Sequence, residues 1–367
     1  MKKNNRLRIV FTGAHAGTVA LALIEEIEKR NKDWGIHFIG PKYAFEDATL
    51  PSSEETYLKE FKVLFHPIIS GKIIKQNPLK NIVSLMKIIM GVFDSFIILS
   101  KIKPNIVVSF GGYLGVPVVI CAWVLGIPVI LHEQVIGLGL GNRISSFFAK
   151  KIAIARSDSL KFVPEKKAVL VGNPIRGSVF TVKPKLKIGN PPTIFVFTGS
   201  RASKIINDTI EPILVSLLHN FKIIHLSGRA DYKHFNEIKN KLNLQDRYEV
   251  YDFISPGKVS DFYKRSDILI CRAGANTVSE LLVIKRPSIL IPIPWSIFDE
   301  QRKNALFAKK FGLATIIDQS ELTPKRLFDV VNKTYLNWDR IVENIKDKQS
   351  PDIKATKNMI DLISKYI

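Results

Sequence analysis

The chain has 367 residues, 46% of them hydrophobic and 22 of them Phe, which excludes a disordered polypeptide and points to roughly two domains. Lys and Arg number 54 against 33 Asp and Glu, a formal charge of +21. Such an excess favours an anionic partner, whether nucleic acid, acidic lipid or a phosphorylated substrate, although a general lysine bias would give the same total.

The basic start is followed by an apolar run that stops after Phe11, so no secretory signal is expected and the protein is expected to be cytosolic. Leu7 to Phe11 is strand-sized and rich in branched residues. It ends in the loop Thr12 to Gly17, and a helix is predicted from Thr18 to Lys29, with Val19, Leu23 and Ile27 on one face and Glu25, Glu26 and Glu28 mostly opposite. That is the opening of a doubly wound sheet. Ile82 to Leu99 is apolar but contains Lys87 and Asp94, each costing about 2.5–3.5 kcal/mol in a bilayer centre, so a transmembrane helix is excluded. Two readings stay open: a buried core helix, or an apolar patch ringed by Lys75, Lys80, Lys87 and Lys101 that docks on acidic lipid.

A second strand–loop–helix unit follows in Asn105 to Phe110, Gly111-Gly112-Tyr113 and a helix near Val116 to Leu125. The next strand, Ile127 to Leu131, ends in His132-Glu133-Gln134. Thr181 to Thr193 is rich in Pro and Lys and is predicted to be an interdomain linker. Directly after it, Ile194 to Phe197 leads into Thr198-Gly199-Ser200 and a helix from Lys204 to Leu218. Val-Phe-Thr-Gly occurs at Val10 to Gly13 and again at Val196 to Gly199, closing the first strand of each half. Further strands are predicted at Lys222 to Leu226, Tyr248 to Tyr251, Ile268 to Cys271 and Ser288 to Ile291, and a final amphipathic helix at Ile353 to Ile367 places Met359, Ile360 and Ile363 on one face. The expected domains are 1–180, a linker at 181–193, 194–345, and a terminal helix within 346–367 that packs back on the first domain.

Two cysteines, Cys121 and Cys271, sit in apolar stretches, make no disulfide framework and are expected to pack as small hydrophobes. Three loops precede helices at strand ends: Thr12 to Gly17, Thr198 to Ser203, and Cys271 to Glu280. Each is either a plain tight turn or a phosphate cradle built from helix N-terminal N–H groups. None matches a Walker loop or Gly-x-Gly-x-x-Gly, and the chain has no Asp-x-Asp and no Gly-x-Ser-x-Gly elbow. Asn276 or Thr277 is expected to cap the third helix, which puts Glu280 in its first turn, as a dipole partner or as an acceptor for the cis-hydroxyls of a ribose. His15 is a structural histidine or a general base.

Gly111-Gly112-Tyr113, His132-Glu133-Gln134, Gly172-Asn173-Pro174-Ile175-Arg176, Arg272 to Glu280 and Asp299 to Ala305 occur in an order and spacing that resemble the MurG family. The resemblance covers Arg8 to about Leu322. It implies an α/β glycosyltransferase-B fold, two Rossmann-like doubly wound domains facing a central cleft. It also implies an inverting transfer of N-acetylglucosamine (GlcNAc) from UDP-GlcNAc to the C4 hydroxyl of N-acetylmuramic acid in undecaprenyl-diphosphate-linked lipid I, giving lipid II for peptidoglycan synthesis. No cofactor and no metal essential to the chemistry are implied.

By position, the resemblance gives Glu280 the ribose and Ile254 the uracil. Ser200 and the turn Ala275, Asn276, Thr277, Val278 and Ser279 would meet the diphosphate, and Arg176 and Gln301 match family positions that contact the donor or close the cleft. Thr12, Gly13 and Ala14 would face the sugar and the acceptor diphosphate, with His15 as base or acceptor positioner. The implied partners are UDP-GlcNAc, lipid I and anionic phospholipid, with no nucleic acid, at the cytoplasmic face of the bacterial inner membrane. The first loop departs from the family's Gly-Gly-Thr-Gly-Gly-His by Val10, Phe11 and Ala14, and Val135 stands where the family has Asn. Alternatives are a related glycosyltransferase with another lipid or small acceptor, a basic nucleic-acid-binding protein, or a sugar-nucleotide-binding protein without turnover.

Overall fold

The computed structural model describes residues 6–14, 17–43, 52–58, 61–71, 78–198 and 202–367. The chain divides into two compact units, the first comprising residues up to Gly177 together with Pro351–Ile367, the second Ser178–Ser350.

Unit 1 is built on a seven-stranded parallel sheet. Its strands are β1 (Arg8–Thr12), β2 (Gly35–Pro41), β3 (Val63–Ile68), β4 (Ile106–Ser109), β5 (Val129–Glu133), β6 (Lys151–Ile154) and β7 (Ala168–Leu170), in the order β3-β2-β1-β4-β5-β6-β7. The helices are α1 (Gly17–Lys29), α2 (Ser53–Leu58), α3 (Pro78–Ile102), α4 (Gly115–Val124) and α5 (Leu140–Ser145). Along β1 the side chains alternate between two cores: Ile9 and Phe11 join α1, and Val10 joins residues of α3 and α4. A parallel strand covered on both faces has no solvent side, hence its unbroken apolar run.

Unit 2 repeats the plan with β8 (Thr193–Phe197), β9 (Lys222–Leu226), β10 (Tyr248–Tyr251), β11 (Ile268–Cys271), β12 (Ser288–Leu290) and β13 (Ala314–Ile316), ordered β10-β9-β8-β11-β12-β13. Its helices are α6 (Lys204–Ile210), α7 (Leu214–Leu218), α8 (Tyr232–Lys241), α9 (Val259–Arg265), α10 (Ala275–Ile284), α11 (Glu300–Phe311), α12 (Pro324–Leu336) and α13 (Trp338–Ile345). The repeated Val-Phe-Thr closes β1 in one sheet, and its Val-Phe ends β8 in the other with Thr198 just beyond; each of these strands lies between the second and fourth strands of its sheet. Strand order reverses there, and a doubly wound sheet opens a ligand crevice at that point.

The chain re-enters unit 1 as α14 (Ala355–Ser364), which packs against α1 and buries Met359, Ile360 and Ile363 completely. Asp352, ahead of α14, forms a buried two-point pair with Arg156 and accepts from Asn173 N at 2.7 Å, while Thr356 Oγ1 accepts from Ile175 N at 3.1 Å. The motif Gly172 to Arg176 is thus the seat of the returning segment. Gly172 has φ +88, and a Cβ there would lie 2.8 Å from that of Ala355.

Residues 181–193, expected as a linker, are fastened to unit 2. Lys183 O accepts from the buried Arg286 at 2.9 Å, Lys185 pairs with Asp267 at 2.8 Å, and Asp267 also takes the N–H groups of Gly189 and Thr193. A Pro- and Lys-rich composition does not register that one buried carboxylate gathers the segment. Both cysteines are buried and free, and burial pushes both thiols up.

Candidate active site

In unit 2 the carboxyl end of β11 runs through Arg272-Ala273-Gly274 straight into α10. Gly274 is the N-cap (φ −63, ψ 149) and its carbonyl accepts from Val278 N at 2.9 Å. The expected cap at Asn276 or Thr277 is therefore corrected to Gly274, because the helix starts at Ala275, four residues after Cys271. The N-cap Gly274 has no side chain to cap α10, and Ala275, Asn276 and Thr277 are half-exposed, so the first turn presents backbone N–H groups and a positive dipole end outward. Val278 and Ser279 are buried.

Glu280 consequently falls in the second turn rather than the first. It is 5% exposed and accepts from Tyr263 Oη at 2.8 Å. Tyr263 lies on α9, fully buried, its ring edge-on to Phe195 and Phe197 of β8. The carboxylate is thus oriented in part by a rigid, buried phenol. Ile254, after β10, is buried with its side chain inward.

Two further side chains brace these loops. Arg272 donates to Ser203 Oγ at 2.8 Å and to Ile291 O at 3.0 Å, and burial lowers its pKa to about 10, so it stays cationic at neutral pH. Asn304 of α11 donates to Ala273 O at 3.2 Å. Gln301 uses Oε1 to accept from Ile293 N at 3.1 Å, and Gln301 N donates to Ser296 Oγ at 3.1 Å, closing the 293–301 loop on itself. Within that loop Phe298 (φ 55) and Asp299 (φ 55) are consecutive left-handed residues, a conformation costing about 1–2 kcal/mol each outside glycine. Trp295 on the same loop is 73% exposed and Phe298 59%.

In unit 1 the carboxyl ends of β1, β4 and β5 meet. Phe110 N donates to Thr12 O at 2.8 Å and Ala14 N to Gly111 O at 3.3 Å. Gly111 and Gly112 have φ +84 and +80, and a Cβ on Gly112 would lie 3.1 Å from the Ala14 methyl. Ala14, in a family glycine position, is thus accommodated by Gly112. The other two departures, Val10 and Phe11, are buried core residues of β1 rather than loop residues.

His132 donates from Nε2 to Gly172 O at 3.0 Å, and burial lowers its pKa to about 4, leaving it neutral. Glu133 accepts from Gly139 N at 2.9 Å, Val135 N at 3.3 Å and Asn142 Nδ2 at 3.0 Å, and burial pushes its carboxyl up. His132-Glu133 is therefore a clamp that shapes the 134–142 loop. Val135 is held by its backbone alone, its carbonyl accepting from Ser159 Oγ at 3.0 Å.

The expected residues thus separate. Glu280, Ala275 to Ser279, Ile254 and Gln301 gather at the carboxyl edge of the second sheet, and Thr12, Gly13 and Ala14 at that of the first. Arg176 is a buried residue of unit 1 whose charge acts on Glu25 of α1, and Glu25 accepts from Gly177 N at 2.7 Å. His15 and Ser200 lie outside the described residues, as does Lys75. Sequence reasoning missed Tyr263, which carries no pattern linking it to Glu280, and it passed over Arg272 although that residue stood inside a quoted motif.

Two Rossmann-like units, one carrying an uncapped helix N-terminus with a buried carboxylate behind it, define a sugar-nucleotide-dependent glycosyltransferase of the glycosyltransferase-B fold. The glycosyltransferase family 28 N-terminal domain matches residues 16–154 and the family 28 C-terminal domain residues 193–361. A UDP-N-acetylglucosamine–N-acetylmuramyl-(pentapeptide) pyrophosphoryl-undecaprenol N-acetylglucosamine transferase of Clostridium tetani is 32% identical over 98% of both chains. One of the same name from Clostridium kluyveri is 34% identical over 98% of this chain and 99% of its own. Among solved structures, Acinetobacter baumannii MurG superposes with a TM-score of 0.71 at 24% identity, covering 98% and 99% of the two chains. A Neisseria meningitidis UDP-GlcNAc 2-epimerase bound to UDP-GlcNAc gives 0.67 at 13% identity, covering 98% and 100%. The chain belongs to the MurG family of family 28 glycosyltransferases.

Proposed function

We propose that the protein transfers GlcNAc from UDP-GlcNAc to the C4 hydroxyl of an N-acetylmuramyl-peptide on undecaprenyl diphosphate, with inversion. The observation that carries this reading is the pairing in α10 of an uncapped N-terminus with a buried carboxylate about one and a half turns on. These are the two chemistries a nucleoside diphosphate needs: N–H donors for phosphate oxygens and an acceptor for ribose hydroxyls. Glu280 takes the ribose, with Tyr263 holding its other oxygen, and the backbone at Ile254 meets the uracil. In the reaction O4 of the acceptor attacks C1 of GlcNAc as the C1–O bond to UDP breaks. The charge left on UDP is met by the α10 dipole and N–H groups. The O4 proton goes to a base, for which His15 is the candidate. Thr12, Gly13 and Ala14 face the acceptor diphosphate, Ser200 supports the donor diphosphate, and Arg176 and Gln301 fix the walls of their own loops. The proposed chemistry uses no resident metal.

The acceptor's lipid sets the location. α3 turns Met86, Ile89 and Phe93 to solvent, 54–66% exposed across its outer face with Leu85 and Met90, and Phe147 after α5 is 77% exposed. Lys101, Arg143 and Lys150 are exposed on the same unit. Exposed apolar and basic side chains on one unit suit an anionic phospholipid surface at the cytoplasmic side of the inner membrane. Among the described residues no helix is long and apolar enough to cross a membrane. The test is transfer of radiolabelled GlcNAc from UDP-GlcNAc to a short-chain lipid-linked N-acetylmuramyl-peptide, comparing wild type with Glu280→Ala and His15→Ala. Product from wild type and its loss in Glu280→Ala support the reading. Absence of product, or unchanged donor affinity in Glu280→Ala, overturns it.

A further inference from the structure

The amino ends of β1, β2 and β3 in unit 1 frame a cavity of about 310 Å³, lined by Arg6, Gly35, Ile36 and residues 61–64. Its floor is apolar. Ile36 is 7% exposed, and Phe61 and Val63 are half-buried against the core that holds it. Leu64, on the edge strand β3, is exposed at the lip. Gly35 keeps the cavity open: a Cβ there would lie 3.3 Å from Arg8 Cγ and 4.0 Å from Arg6 Cδ, so the two arginine stems flank it.

The rim is basic. Arg6 donates to Trp34 O at 3.3 Å and pairs with Asp33 at 2.9 Å, the one carboxylate paired with these cations among the described residues. Lys62 is exposed and makes no ion pair among the described residues. Opposite Leu64 in register, His37 shares a hydrogen bond with His66, Nδ1 to Nε2 at 2.9 Å. Burial, then the charges of His66, Arg8 and Arg6, hold His37 down to a pKa of about 4, so the charges acting on it are all of one sign. A solitary exposed leucine means little, and so does a solitary lysine. Here an apolar hollow and an excess of cations share one wall, and such an excess raises the local concentration of anions.

We propose that this cavity is a second binding site, for a small amphiphilic anion, with a single phosphate or carboxylate held between Arg6, Arg8 and Lys62 and a short alkyl chain laid on Ile36, Phe61 and Leu64. The volume is at the small end of ligand cavities, which excludes a nucleotide sugar. The site is separate from the residues of the proposed function: Arg8 and Thr12 stand at opposite ends of β1, four residues and about 13 Å apart.

The probe is octyl phosphate, titrated by calorimetry into the protein saturated with UDP, with inorganic phosphate and octanol as its two halves. Octyl phosphate is expected to bind at least about tenfold more tightly than either half. Ring-labelled histidine locates the binding: of the seven His, His37 and His66 are expected to shift most on its addition. Lys62→Glu and Leu64→Ser change exposed side chains, so both are expected to keep the wild-type melting temperature and UDP affinity while weakening octyl phosphate at least about tenfold.

Equal affinity for either half, unmoved His37 and His66 resonances, or octyl phosphate affinity unchanged in both variants overturns the inference. A membrane lipid is the other source of the same chemistry. Loss of co-sedimentation with anionic vesicles in Lys62→Glu, with octyl phosphate affinity intact, assigns the rim to a membrane surface and overturns the small-ligand site. Failure of UDP to bind overturns the proposed function instead, and the same titration without UDP then decides this site.

Discussion

Asp352 and Arg156 meet through two parallel hydrogen bonds, Nη1 to Oδ1 at 2.6 Å and Nη2 to Oδ2 at 2.8 Å, across 196 residues of sequence and out of contact with water. Removing one partner leaves the other charge buried and uncompensated, at a cost of about 3–5 kcal/mol. Asp352→Ala is therefore expected to lower the melting temperature strongly and to expose residues 351–367 to proteolysis. Arg156→Met with Asp352→Leu, which removes both charges, is expected to recover most of the loss. Equal destabilisation by the single and the double variant would contradict this account.

Glu280 and Tyr263 are expected to separate binding from positioning. On the proposed role of Glu280 at the ribose, Glu280→Gln is expected to weaken a charge-assisted contact and raise the Kd for UDP-GlcNAc about 10- to 100-fold. Tyr263→Phe removes only the hydroxyl that orients the carboxylate, for a loss of about three- to tenfold. Calorimetry on both variants decides the matter, and equal losses would mean that Tyr263 itself touches the ligand.

Acid stability follows from two buried histidines. Burial holds His132 near a pKa of about 4 and His225 near about 3, whereas an unfolded chain takes up protons at about 6.5. His225 donates from Nε2 to Asn207 Oδ1 at 3.0 Å and accepts from Tyr248 Oη at 2.8 Å, so its neutral form is fully used. Between pH 6.5 and 4 the unfolded state binds more protons, so stability is whole above pH 6.5 and falls on acidification. Each histidine contributes about 1.4 kcal/mol per pH unit in that window. Glu133, whose carboxyl is raised, acts in the opposite direction as its proton is retained on folding. Urea titrations from pH 7 to 4.5 are expected to show this decline, with a shallower slope in His225→Gln.

Membrane attachment is expected to depend on the outer face of α3. Ile89→Asp with Phe93→Asp places two charges where the side chains are 62% and 66% exposed, so the fold is spared. Co-sedimentation with vesicles containing anionic phospholipid should fall by at least about tenfold, at an unchanged melting temperature. The binding that remains in wild type should weaken as salt rises. Retention of the double variant on the vesicles would exclude this face.

Much of the architecture was legible because parallel strands buried on both faces are unbroken apolar runs. β9, β10 and β11 lie where the runs Lys222 to Leu226, Tyr248 to Tyr251 and Ile268 to Cys271 put them. β2 and β6 were not picked out either; β3 escaped notice because it is an edge strand with Pro67 in it and Leu64 60% exposed, and β7 and β13, of three residues each, are too short to carry a period. α1 looked amphipathic but buries an unbroken run from Val19 to Ile24, since α14 covers the side its polar residues had seemed to leave to solvent. At the site, the α10 motif was visible as a glycine-containing loop before a helix. Its cap and the partner of Glu280 were not, because both depend on where β11 ends and where α9 docks. Val10 and Phe11 looked like losses in a glycine-rich loop, yet β1 extends to Thr12 and takes them into the core.

The return of α14 to α1 has a consequence for how the chain is made. Synthesis proceeds from residue 1 upward, and unit 2 lies wholly between the two pieces of unit 1. When residue 350 leaves the ribosome, unit 2 has its full sequence, while the Ile9 and Phe11 face of the first sheet still lacks Met359, Ile360 and Ile363 and Arg156 still lacks its carboxylate. Of these two units the one begun first is thus completed after the other, and until then it presents bare apolar surface of the kind that chaperones recognise.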